Sequence, residues 1–361
     1  MHNPRIINQL VWQIGSHSVI KRVLAGLLLA ALVAGLQAPS SAIAKQPADA
    51  VATVRQITIT VGTPPGSPAS LYAQAVSRHM GRFLPGAPTI IVQHMPGAGG
   101  LVAANTAWTS MPRDGTALVS TNSAIFVEPL IGGKASQFDA RQFNWIGGTH
   151  VEPMLCITWH SSSVRTLQDA MSRQAIIGSY GADGPSAVFV RAANTFVGTR
   201  FSLITGYSGG QEALIAMERG EVDGSCAMGW AELSLRRSEW LRQSKVNILF
   251  QMGLKLEPEL SGVPLLLDQA TSALDKKVLG LLFTPLEIGR PIYAPPGVPD
   301  DRLRELRHAL TQTLKDEAFL AYAAKAALPI RHVEHTHIES LITNIYEAPA
   351  AVLERARRMK E

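Results

Sequence analysis

From residue 56 onward the chain repeats one pattern: a short aliphatic run, a loop of glycine, proline and serine, then apolar residues at helical spacing. Ile57-Thr58-Ile59-Thr60-Val61 alternates β-branched residues and reads as a strand. It enters Gly62-Thr63-Pro64-Pro65-Gly66-Ser67-Pro68, and a helix over 69–83 follows. Thr89-Ile90-Ile91-Val92-Gln93 is a second strand ahead of Met95-Pro96-Gly97-Ala98-Gly99-Gly100. The next helix places Leu101, Ala104 and Ala107 on one side and stops near Pro112, before a third strand over 116–120. The second half does the same with different loops. A strand over 175–178 leads through Ser179-Tyr180-Gly181-Ala182-Asp183-Gly184-Pro185-Ser186 into a helix over 187–197. A strand over 201–204 leads through Gly206-Tyr207-Ser208-Gly209-Gly210 into a helix over 211–219, and a short strand over 221–227 follows. After Pro295-Pro296-Gly297-Val298-Pro299 the C-terminal region reads as helical. Strand, loop and helix in alternation predict α/β layers around a mostly parallel sheet.

The first 44 residues stand apart. Arg5, Lys21 and Arg22 precede Val23–Leu36, 14 residues of Val, Leu, Ala and Gly alone. A spanning helix needs about 20. Ala42-Ile43-Ala44 then offers small residues for cleavage before Lys45, so residues 1–44 read as a secretory signal peptide and the mature protein is expected to be exported and soluble. Loss of the leader's three basic residues takes the formal charge from +5 to +2. The remaining basic residues are dispersed, without interleaved aromatics, so no nucleic-acid partner is expected. The 361 residues suffice for two domains, each with its own core.

The glycine loops carry the candidate chemistry. A Gly/Ser/Pro loop ahead of a helix leaves backbone amides free at the helix N-terminus, where a carboxylate or phosphate fits. One such loop merely caps a helix; four in two half-chains predict two lobes facing across a ligand cleft. Rival motifs compete with this reading. Gly206-Tyr207-Ser208-Gly209-Gly210 satisfies G-x-S-x-G, and Asp223 or Asp268 with His332, His335 or His337 would complete a serine-hydrolase triad. Gly97-Ala98-Gly99-Gly100-Leu101-Val102 has valine where a dinucleotide fingerprint needs its third glycine. His332, Glu334, His335 and His337 are dense enough for a metal, yet Thr336 and Glu339 also read as a capping box at a helix start. No metal or other cofactor is expected. Cys156 and Cys226 are either a disulfide or two buried thiols. Trp145, Trp230 and Trp240 fit core or rim.

Taken in order, Thr63-Pro64-Pro65-Gly66, Gln93-His94-Met95-Pro96-Gly97-Ala98-Gly99-Gly100 and Pro112-Arg113-Asp114-Gly115-Thr116 resemble the extracytoplasmic receptors of tripartite tricarboxylate transporters, also called Bug-type solute-binding proteins. Thr121-Asn122-Ser123, Asn144-Trp145-Ile146-Gly147, Gly220-Glu221-Val222-Asp223 and Ala294-Pro295-Pro296-Gly297-Val298-Pro299 extend the similarity over nearly all of residues 55–355. The resemblance implies a two-lobe Venus flytrap fold of type II character. Residues 45–158 with 284–361 would form lobe 1 and 159–283 lobe 2. It also implies a monomeric periplasmic receptor that captures a small organic carboxylate and hands it to integral-membrane transporter subunits. Carried over, the ligand contacts are Pro65, Gly66, Ser67, Pro96, Gly97, Ala98, Gly99, Asn122 and Ser123 from the first lobe. Ser179, Tyr180, Gly181, Ser186, Tyr207, Ser208 and Gly209 would come from the second. Ser208 is then a hydrogen-bond donor and not a nucleophile. Relatives have Asp at the start of the first helix and Arg four residues on; here Ser70 and Gln74 stand there, with Ser70 counted among the contacts.

Overall fold

The computed structural model describes residues 54–132, 135–181 and 184–360, so the leader, its cleavage site, Ala182 and Asp183 lie outside the described residues. The strands in chain order are β1 (Gln56–Val61), β2 (Thr89–His94), β3 (Ala117–Ser120), β4 (Asn144–Gly148), β5 (Met154–Trp159) and β6 (Gln174–Ser179). They continue with β7 (Arg200–Thr205), β8 (Gly224–Gly229), β9 (Val246–Met252), β10 (Pro291–Ala294) and β11 (Val333–Glu334). The helices are α1 (Pro68–His79), α2 (Leu101–Thr109), α3 (Leu167–Ser172), α4 (Pro185–Val197), α5 (Gly210–Glu218) and α6 (Ser238–Arg242). The C-terminal set is α7 (Ala273–Phe283), α8 (Asp300–Lys315), α9 (Glu317–Lys325), α10 (His335–Tyr346) and α11 (Ala350–Arg358).

Two sheets form, one for each lobe. The first has the order β11-β4-β10-β3-β1-β2 and the second β7-β6-β8-β5-β9. Three strands at one side of each sheet are parallel, β2-β1-β3 in one and β7-β6-β8 in the other, as the alternation of elements predicts. Both sheets are nevertheless mixed, because β10, β4 and β11 join the first antiparallel and β5 and β9 join the second antiparallel. The predicted mostly parallel sheet is corrected to that extent. Short apolar runs such as Pro291–Ala294 carry no alternation, so strand direction was not readable from their pattern. The strand Met154–Trp159 pairs with β8 and β9, so the chain leaves the first sheet between Gly148 and Met154, earlier than the expected limit at 158.

Local chemistry accounts for the elements beside the cleft. Ser67 caps α1 by accepting from the Ser70 amide, Pro68 occupies the first turn, and Ala69, Tyr72, Ala73 and Val76 turn one stripe inward. The helix then tightens to a 3-10 turn over Met80–Phe83. In α4 the buried residues are so numerous, from Pro185 to Val197, that the helix is enclosed on most sides. The largest core runs without a break from α2 and Trp145 through α7, α10 and α11 to α4 and Phe250, so the lobes share apolar support on one side. Separate cores lie behind β1 with α1 and α8, and behind β5 with α5. Trp145 and Trp240 are buried in these cores; Trp230 is half-buried and donates from Nε1 to Glu259.

Cys156 on β5 and Cys226 on β8 are joined in a disulfide. The C-terminal histidines differ from the capping-box expectation. Helix α10 begins at His335 with Glu334 in the capping position, two residues before the expected cap Thr336; Glu339 pairs with Arg307 at 3.0 Å. Among the described residues no group of three His, Cys, Asp or Glu is arranged to hold a metal. No helix of the described residues is long and apolar enough to cross a membrane.

Candidate functional site

A cavity of about 660 Å³ opens between the two sheets, at the carboxyl ends of the parallel strands. That is where an open α/β sheet places ligands, and the volume is in the range of small-molecule sites. On the first lobe it is lined by Pro65 and Ser67 after β1, by Pro96, Gly97, Ala98 and Gly99 after β2, and by Asn122 and Ser123 after β3. On the second lobe Tyr180 and Gly181 follow β6, and Tyr207, Ser208 and Gly209 follow β7. The predicted loops therefore converge on one space.

The first-lobe loops are built to present backbone. Residues 97–100 all have positive φ: Gly97 at 147°, Ala98 at 46°, Gly99 at 67° and Gly100 at 109°. Only glycine enters that region without strain, and Ala98 is held there by its neighbours. The Gly100 amide closes the turn on Gly97 O at 2.9 Å, and the absence of bulky side chains at 97–99 leaves backbone at the cavity surface, ahead of the N-terminus of α2. The loop is anchored to the end of β1 by Met95 N donating to Val61 O at 2.8 Å. Behind it Gly62 has no room for a side chain, since a Cβ would lie 2.9 Å from Thr121 Cγ2 and 3.1 Å from Gly100 Cα. Ser67 and Thr63 share a hydroxyl hydrogen bond of 2.6 Å. The Asn122 carboxamide oxygen accepts from the Ala124 amide at 3.0 Å.

Four expected contacts fall outside the lining. Ser70 is fully buried beneath the loops, bonded to His94 Nε2 at 3.4 Å and accepting from Gln74 Nε2 at 3.2 Å. The Ser70/Gln74 pair thus forms an uncharged link between positions i and i+4, away from the cavity surface. His94 extends it to Thr63, with Nδ1 3.0 Å from the Thr63 carbonyl oxygen. Ser179 and Ser186 are buried and bonded to each other through their hydroxyls at 2.5 Å. Gly66, with φ 78°, forms the turn but does not face the cavity.

The second lobe satisfies its own donors. Glu212, in the first turn of α5, reaches back so that its carboxylate accepts from the Ser208 amide, which holds that carboxyl below the usual carboxylate range. The loops of the two lobes nearly touch. A Cβ on Gly99 would lie 3.3 Å from Gly184 Cα, and one on Gly209 would lie 3.4 Å from Pro64 Cγ.

The cleft floor holds a charged cluster that the loop motifs did not reveal. Two segments cross between the sheets there and hydrogen-bond each other, Thr149 N to Arg290 O at 3.1 Å and Arg290 N to His150 O at 3.0 Å. Arg290 Nη2 donates to Glu152 Oε1 at 2.5 Å, and Glu152 Oε2 accepts from the Ala231 amide at 2.7 Å. Both side chains are largely enclosed, Arg290 at 13% and Glu152 at 7% exposure. Gly229 makes room for the carboxylate: a Cβ there would lie 2.5 Å from Glu152 Oε1. His150 lines the same floor, stacked on Tyr72 at 5.7 Å, and neither ring nitrogen has a hydrogen-bond partner. Burial first, then the positive charges of Arg290 and Arg331, lower its pKa to about 3, so it is neutral at physiological pH. Burial also raises the Tyr180 phenol, opposed by Arg290 and by Asn122 from across the cleft. The signal for these residues was present in the sequence: Thr149-His150-Val151-Glu152-Pro153 and Gly289-Arg290-Pro291 place charge in segments otherwise made of strand and core.

The triad that the G-x-S-x-G motif required does not assemble. Asp223 accepts from the Ile176 amide at 2.7 Å, Asp268 pairs with Lys276 at 2.8 Å, and none of His332, His335 and His337 lines the cavity.

Known proteins match this arrangement. BugD, a periplasmic binding protein, superposes with a TM-score of 0.65 at 17% identity, over 85% of this chain and 97% of its own. MatC of Rhodopseudomonas palustris, solved with bound malate, gives a TM-score of 0.63 at 18% identity, over 85% and 99%. Rpa4515 of the same organism, solved with adipate, gives 0.62 at 17% identity, over 84% and 97%. At these identities the likeness is one of fold: a two-lobe periplasmic-binding-protein architecture. In sequence, a UPF0065 protein of Bordetella bronchiseptica is 26% identical over 189 residues, 51% of this chain and 54% of the relative, so the chain spans about half the length of that curated relative. The family described as tripartite tricarboxylate transporter family receptor matches residues 73–356. With the match running through both sheets, the chain belongs to the tripartite tricarboxylate transporter receptor family.

Proposed function

We propose that this protein is a periplasmic receptor that traps a small organic carboxylate between its lobes and delivers it to the membrane subunits of a secondary transporter. It is a solute receptor and not an enzyme. The observation that carries the reading is the glycine-rich turn Gly97-Ala98-Gly99 at the cavity wall, where positive φ brings backbone rather than side chains to the space an anion would occupy. The carboxylates bound by MatC and Rpa4515 support the same ligand class here. The site residues under this reading are the lining residues of the loops after β1, β2, β3, β6 and β7, with Ser208 as a donor.

Binding would work through closure. A carboxylate held on the first lobe meets Tyr180 and Tyr207 only when the lobes approach, so its contacts favour the closed state, and that state is the one presented to the membrane subunits. Differential scanning of the mature protein against mono-, di- and tricarboxylates tests the proposal. A ligand at 100 times its Kd adds about 2.7 kcal/mol of stability, a clear rise in Tm. No shift across the panel would overturn the carboxylate reading. Delivery is tested by uptake in cells lacking this receptor, which should fall for the same ligand and return with the gene.

A further inference from the structure

The cleft has an uneven charge balance. Among the described residues that line it, Arg290 is the one Lys or Arg, against three carboxylates, Glu152, Glu212 and Glu232. Arg290 is already matched by Glu152 at 2.5 Å. Glu232 has Arg237 Nε at 3.6 Å and Gln211 Nε2 at 2.5 Å, and Glu212 has the Ser208 amide. So no Lys or Arg among the described lining residues is left over for a second ligand anion. At the two second-lobe helix starts the chain's own groups also take up donors. At α5, Glu212 is the internal anion on the loop amide. At α4, the first-turn position is Pro185, which has no N–H, and the Ser186 hydroxyl is bonded to Ser179. A distal carboxylate entering this end would meet the like charges of the exposed Glu212 and the buried Glu232.

The same end offers apolar surface instead. Met154, Phe189, Leu214 and Met228 line it. From this division we infer that the preferred ligand is a monocarboxylate: its one anionic group rests on the first-lobe glycine loops, and an uncharged, largely apolar body fills the second-lobe side. The inference rests on the carboxylate reading above and narrows it. Glu212 is its specificity-determining residue, acting against dianions.

Isothermal titration with matched pairs tests it, using phenylacetate against 4-carboxyphenylacetate and hexanoate against adipate. Each monocarboxylate is expected to bind at least tenfold more tightly than its partner, about 1.4 kcal/mol. Glu212→Gln should narrow that gap at least threefold by improving the dicarboxylate, with the monocarboxylate changed less. Because the readout is a ratio measured on one protein, a modest loss of stability in the variant does not obscure it. Equal or tighter dicarboxylate binding overturns this inference and leaves the carboxylate receptor standing. An unchanged gap in Glu212→Gln removes Glu212 from its role. Failure of all four probes together with the wider carboxylate panel removes both readings.

Discussion

Acid should destabilise this protein through His150 in a way that one substitution reveals. The ring is buried and stacked on Tyr72, and both nitrogens lack hydrogen-bond partners, with Glu152 Oε2 standing off at 4.0 Å from Nε2. Its pKa falls from 6.5 to about 3 in the folded state. The unfolded chain therefore binds a proton that the native state refuses, and stability is lost as pH drops below 6.5 toward 3. At about pH 4.5 the linkage relation gives a loss of about 2.5 kcal/mol relative to pH 7 from this one group. A folded value one unit higher barely changes that figure, because the ring is still mostly neutral there. The assay is urea unfolding of the wild type and His150→Phe at pH 7 and pH 4.5. Phenylalanine keeps the stack on Tyr72 and removes the titrating nitrogens. Carboxylates that also titrate in this window contribute equally to both proteins and cancel. The pH-induced loss should be smaller in His150→Phe by about 2 kcal/mol, with equal m-values. Equal losses in the two proteins would refute the account of a neutral, unpaired imidazole at the cleft floor.

Three further outcomes follow from packing. Gly229→Ala should cost about 1–3 kcal/mol by chemical unfolding, since its Cβ would meet Glu152 Oε1 at 2.5 Å, whereas Gly262→Ala, with open space around it, should stay within about 0.5 kcal/mol. Gly99→Ala should weaken carboxylate binding measured by titration, because φ of 67° costs alanine about 1–2 kcal/mol and its methyl would press toward Gly184. Unchanged affinity would separate the loop's conformation from ligand capture. Denatured but unreduced protein should show no thiol for iodoacetamide, and reduction of Cys156–Cys226, which closes a 70-residue separation, should lower stability by about 2–4 kcal/mol.

The elements that build the cavity were legible because each has its own local signature. Thr58 and Thr60 alternate with Ile57, Ile59 and Val61, Ser67-Pro68 starts a helix, and the glycines at 97, 99 and 100 have a conformational need that no other residue meets as easily. What stayed hidden depends on partners distant in sequence. Glu152 meets Arg290 across 138 residues, and nothing local to either residue announces that pairing. Strand direction was lost for the same reason, since β10 gains its place from β3 and β4. Ser70 misled because its position in the first helical turn faces the sheet side of α1 and bonds to His94, not to the cavity. The histidine-rich segment after 331 was legible as a helix start but not its cap: His332 pairs with Glu334, and Glu334 rather than Thr336 stands at the N-cap of α10.

The central claim is that the loops after β1 and β2 hold a carboxylate. Its most direct test is calorimetric titration of the mature protein with a carboxylate that raises its Tm, alongside the methyl ester of the same acid. The acid should bind and its ester, matched in shape but without the anion, should bind at least a hundredfold more weakly. An ester that binds as well as its acid would contradict the claim, because the backbone amides at 97–99 would then have no anion to hold.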